Sequence, residues 1–167
     1  MIKELLIKNK QSIISRWVRA IVESYPQETS KFLMSSKDRF NNPVGNVIFE
    51  SAEQIFNEIV GGNDFNKIKS SLEDIIKIRA VQDFSPSKAA GFIFSLKRFI
   101  LEELGTEVKD KPTFQELVDI EFLIDRTALI AFDLYMNSKE KLFQIRVGEL
   151  KSRFLYNNRE GAIKDTK

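Results

Sequence analysis

The chain has 167 residues, 43% of them hydrophobic and 30% charged, and its 26 basic and 24 acidic side chains leave a net charge of +2. That length suffices for one domain with a sizeable core, and the near balance of charge excludes the electrostatic footprint of a nucleic-acid or anionic-membrane binder. The lack of cysteine excludes disulfides and thiolate metal sites, and the lack of histidine removes the commonest general base, metal ligand and proximal haem ligand.

The opening MIKELLIKNK has neither a long apolar region nor a small-residue cleavage site, and no uncharged apolar run reaches the ~18 residues of a membrane span. We therefore expect a cytoplasmic protein with no membrane insertion. Ile13, Ile14, Trp17, Val18, Ile21 and Val22 recur at helical spacing, which predicts an amphipathic helix ending near Tyr25-Pro26 with Trp17 in the core. QETSKFLM predicts a short helix with Phe32 and Leu33 turned inward, and SSKDRFNN a polar loop. Asn42-Pro43 is an N-cap with proline at the first helical position, opening a helix whose stripe is Val44, Ile48, Ala52, Ile55 and Ile59 and which Gly61-Gly62 stop. Asn63 or Asp64 caps the next helix. Its stripe is Phe65, Ile68, Leu72, Ile75 and Ile76, and at about 100° per residue Arg79 falls on the centre of that stripe.

Ser85-Pro86 repeats the cap-and-proline signal and opens the most apolar helix, which runs to Gly105 and reads as the central one. Ala89, Ala90, Phe92, Ile93 and Phe94 leave no polar face for nearly two turns, so neighbours are expected on all sides, with Gly91 marking a close backbone approach. GTEVKDKP is a turn. Thr113 and Glu116 form a capping box for a last helix with no convincing stop before Asn157, about 44 residues and roughly 65 Å long, followed by a frayed polar tail. Residues 1–136 then form the helical core, and 137–167 the extension of the last helix with its tail. In that extension Met136, Phe143, Val147, Leu150 and Phe154 make a narrow seam among charged residues, close to coiled-coil spacing. Four of these, Phe143, Val147, Leu150 and Phe154, are the candidate interface for a protein partner or for a dimer, against the alternative that the helix folds back on its own core.

Arg79, Gln82 and Asp83 are the candidate ligand site. A buried arginine needs partners, either Asp83 four residues on or, near the N-terminus of the following helix, an anionic ligand or a partner protein's carboxylate. Glu121 and Asp125 share one helix face, but without histidine or a second Glu-rich helix a solvated face is the better reading than a metal or glycosidase pair. No phosphate loop, nucleophile elbow or dinucleotide fingerprint occurs, so neither catalytic residues, metal nor cofactor are expected.

NPVG at 42–45, IRAVQDFSPSKAAGFIFSLKRFI at 78–100 and LYMNSKEKLFQIRVGELK at 134–151 resemble the RsbRD N-terminal domain family. The resemblance implies a bacterial regulatory module, a co-antagonist of a stress-signalling switch kinase, in which an all-helical sensory domain precedes a STAS domain and is similar to a globin without haem. Because the 167 residues stop near where the last helix would continue, a stand-alone member is expected, of the kind that occurs beside genes for membrane electron-transfer complexes. The expectation is thus one all-α domain of about five or six helices ending in a long protruding helix. Two functions stay open: a non-enzymatic module that senses a ligand or partner and transmits through the last helix, and a structural adaptor. An enclosed pocket beside Arg79 favours the first, and a filled core with an exposed seam the second.

Overall fold

The computed structural model describes the backbone of residues 2–35, 42–105 and 111–164, and side chains within these except at 35, 111 and 158–164. Among the described residues the protein is all α, with seven helices where about five or six were expected: α1 Ile2–Lys8, α2 Lys10–Glu23, α3 Gln27–Ser35, α4 Pro43–Asn57, α5 Phe65–Val81, α6 Pro86–Leu104 and α7 Lys111–Lys164. The additional helix is α1, which the stripe beginning at Ile13 did not announce. It buries only Ile2 and Leu6 and is separated from α2 by Asn9. The middles of the two expected loops, 36–41 and 106–110, lie outside the described residues.

The caps predicted at Asn42, at Asn63 or Asp64, and at Ser85 form, the second of them at Asp64. The Asn42 side chain accepts from the Gly45 amide at 2.9 Å and donates to the Leu33 carbonyl at 2.6 Å, so one residue both starts α4 and ties it to α3. Asp64 accepts from the amides of Asn66 and Lys67, and Ser85 from that of Lys88. The stop of α4 is more elaborate than two glycines. A π-helical turn, Glu58–Gly62, follows Asn57 and folds the buried Glu58 carboxylate back onto the Asp64 amide, and a Cβ at Gly62 would collide with that carboxylate.

The central helix α6 packs against α1, α2, α5 and α7 through Ala89, Phe92, Ile93, Leu96, Ile100 and Leu104. It is not covered on all sides. Phe94 is 47% exposed, and no atom lies within 4 Å of where a Gly91 Cβ would sit, so Gly91 marks no close approach. One side of an apolar helix was left without a neighbour, which a pattern of residue types alone does not reveal.

Among the described residues helix α7 opens at Lys111, two residues before Thr113, and the Glu116 carboxylate accepts the Ile2 amide at 2.9 Å and fastens α1 to α7. Nor does the helix end near Asn157. It continues to Lys164, 54 residues in all, roughly 80 Å at 1.5 Å per residue, so the expected frayed tail is helical for most of its length. Leu117, Ile120, Ile124, Ala128, Ala131 and Tyr135 form its packed stripe against α5 and α6. Beyond Tyr135 no described residue of α7 is buried.

Candidate functional site

At the junction of α2, α5 and α6 sits Arg79, which is 0% exposed and among the largest fully buried side chains. Its position on the α5 stripe is the cause: a residue there must point inward, so the guanidinium has to find acceptors inside the protein. It donates to the Lys88 carbonyl (2.9 Å), the Ser24 hydroxyl (2.8 Å) and the Ile21 carbonyl (3.3 Å). Three aromatic rings surround it, Phe92 at 4.6 Å, Phe84 at 4.7 Å and Tyr25 at 5.1 Å. The cation is thus held by oxygen dipoles and ring faces, with no carboxylate among these contacts. Burial lowers the Arg79 pKa, and it raises that of Tyr25 while the neighbouring positive charge opposes the rise. The Arg79 Nε and the Tyr25 hydroxyl are both buried without a hydrogen-bond partner.

Two clefts open beside this cage. One of about 460 Å³ is lined by Arg79, Ser24, Ser87, Lys88, Gly91 and Phe92, among others. A second of about 520 Å³ is lined by Tyr25, Gln82, Asp83, Phe84, Ser85 and Lys88, among others. Both lie at the N-terminal turns of α6, where the helix dipole favours negative charge, although Pro86 has no N–H and the Lys88 and Ala89 amides are already bonded to Ser85.

The turn between α5 and α6 separates the three residues expected to act together. Gln82 caps α5 and is exposed. Asp83 does not pair with Arg79. It adopts φ 58°, a left-handed conformation that Asp tolerates better than most residues, and its carboxylate points away from the cage to meet Lys139 of α7 at 2.5 Å. Hydrogen bonding to Lys139 lowers the Asp83 pKa. The next residue, Phe84, lays its ring against Arg79 and Tyr25 while its carbonyl accepts a hydrogen bond from the Tyr135 hydroxyl of α7. One turn therefore touches the buried cation on one side and α7 on the other, at the last packed turn of α7.

A family model described as "RsbT co-antagonist protein rsbRD N-terminal domain" matches residues 11–149. The chain belongs to this family. As an RsbRD N-terminal domain it is a member of a regulatory stress-signalling family and not of an enzyme family. Comparison with curated proteins and with solved structures found no match.

The RsbRD N-terminal match covers Arg79, Gln82, Asp83, Phe143 and Val147, and ends one residue before Leu150. Of the candidate interface, Phe143, Leu150 and Phe154 are 65–66% exposed and Val147 is half-buried. No part of the described chain folds back over them. Glu121 and Asp125 form no shared centre: Asp125 pairs with Lys97 at 2.7 Å, and no group of three carboxylates able to hold a metal occurs among the described residues. No helix among them is long and apolar enough to cross a membrane.

The residues that complete the cage, Ser24, Tyr25, Phe84, Lys88 and Phe92, escaped the sequence reading, as did Tyr135 and Lys139. Phe92 was legible only as part of the apolar run of α6 and Tyr25 only as the end of α2, and Tyr135 left a further signal. It is the final member of the 3–4 stripe on α7, where an aromatic hydroxyl entering a core needs an acceptor.

Proposed function

We propose that this RsbRD N-terminal domain is a non-enzymatic cytoplasmic regulatory module, globin-like without haem, that senses a ligand or partner near Arg79 and transmits the change through α7. The observation that carries this is the α5–α6 turn. Phe84 stacks on Arg79 and accepts from Tyr135, while Asp83 holds Lys139, so a displacement at the cage pulls on α7 where its packed half gives way to its exposed half. An anionic ligand fits the clefts best, given the α6 N-terminus, Lys88, and an Arg79 Nε that lacks a partner.

A second reading, a structural adaptor, has its own support. Arg79 is enclosed by rings and carbonyls, the cleft that it lines is open rather than enclosed, and the α7 seam is exposed. Under it α7 docks on a partner such as an electron-transfer complex and nothing is sensed. Native mass spectrometry of freshly purified protein separates the two. A small-molecule mass retained on the intact chain and lost in Lys88→Ala supports sensing. A chain that carries no small molecule, and stays bare when offered phosphate or dicarboxylates, favours the adaptor.

A further inference from the structure

The outer face of α7, opposite its packed stripe, carries Phe122, Leu129, Met136, Phe143 and Leu150 at intervals of seven, exposed by 68, 66, 46, 66 and 65%. The stripe starts on the half of α7 that packs on the domain and runs unbroken into the half that overhangs it. A strict seven-residue repeat drifts by ~20° per heptad on a straight helix, so it stays aligned only with a helix that supercoils around it. We propose that α7 pairs antiparallel with α7 of a second copy of this chain, the overhang of each lying along the outer face of the other's packed half.

Charge decides both the occupant and the direction. Between residues 113 and 136, α7 carries five carboxylates against the single cation Arg126, whereas between 137 and 157 it carries five cations against Glu140 and Glu149. A parallel pair sets acidic half on acidic half and stacks Asp133 and Glu140 on their own copies in the seam. An antiparallel pair sets basic overhang on acidic body in both places at once, and closes as a two-fold dimer. With the axis near residue 138, Phe122 lies opposite Phe154 of the partner subunit, Leu129 opposite Val147 of the partner subunit, and Asp125 beside Arg153 of the partner subunit. The acidic residues Asp133 and Glu140 fall in the central layers, so the pair is held mainly at its two ends.

This rests on α7 being the output element, and it makes the overhang the part of each copy that reads the other's domain. The chain has no native cysteine, so single spin labels at Glu149→Cys and Tyr156→Cys in the intact protein report the geometry directly. Pulsed dipolar spectroscopy is expected to give separations of about 33 Å and about 54 Å, twice the axial distance from residue 138 at 1.5 Å per residue, and Phe122→Glu is expected to abolish the dipolar signal. Short and equal separations at both sites, near the helix spacing of about 10 Å plus the label arms, mean a parallel pair and overturn the proposal. So does a monomer at labelling concentration, or a signal that survives Phe122→Glu. Coupling through the α5–α6 turn acts within one chain and is measured separately, so neither result decides the other.

Discussion

Truncating Arg79 tests whether the buried cation is a structural tie. In Arg79→Ala three charge-assisted hydrogen bonds to Lys88, Ser24 and Ile21 disappear, gross contributions of about 1.5–3 kcal/mol each, and the ring cage of Tyr25, Phe84 and Phe92 faces a void. Against this stands relief of the desolvation of a buried charge, worth several kcal/mol. The net expectation is a loss of roughly 3–4 kcal/mol, or about 10 °C in Tm for a chain of this length. Arg79→Met keeps most of the volume and also relieves the desolvation, so it should lose only about 1 kcal/mol. Urea unfolding followed by the fluorescence of Trp17 reads both, because that side chain is fully buried and bonds to the Phe92 carbonyl at the edge of the cage. A loss below about 1 kcal/mol in the alanine variant, or equal losses in both variants, would refute the balance of packing against desolvation.

The Asp83–Lys139 tie makes a pH-dependent prediction. Since the folded pKa of Asp83 lies below its ordinary 3.8, its contribution is present above that value and is lost as pH falls through the lowered one; Asp83→Asn should melt below wild type at neutral pH and converge with it in strong acid. At the glycines, Gly91→Ala should gain about 0.5–1 kcal/mol, since its Cβ meets open space in a helix, whereas Gly62→Ala should destabilise by collision with Glu58; thermal melts give both signs. Phe143→Glu with Leu150→Glu should leave the Tm of dilute monomer unchanged, because both side chains are exposed within one chain, and a large loss would place the seam in the core after all.

The fold was legible because its punctuation is local. Asn42-Pro43, Asp64 and Ser85-Pro86 start helices by contacts within three residues, and the stripes on α2, α4 and α5 follow from period alone. Where partners are distant the sequence is silent. Nothing near Gly91 tells that its side of α6 lacks a neighbour, and nothing near Glu116 tells that its carboxylate meets the Ile2 amide, 114 positions away. At the candidate site, Arg79 stood out as a cation on an apolar stripe. Its real partners come from α2 and α6, while Asp83, four residues on, is turned outward by one left-handed residue toward an α7 lysine 56 positions away. The seam was visible only in its overhanging half, since exposure of Phe122 and Leu129 depends on which face of α7 the domain takes.

The claim that the α5–α6 turn couples the cage to α7 is tested most directly by hydrogen exchange on Arg79→Lys, which keeps the charge but loses the planar fork that meets several acceptors at once. Faster exchange is expected in the turn at 82–85 and in α7 around Tyr135 to Lys139, with the start of α7 near Leu117 and Ile120 unchanged. Faster exchange confined to the ends of α2 and α6 around the cage, with α7 as in wild type, would contradict it.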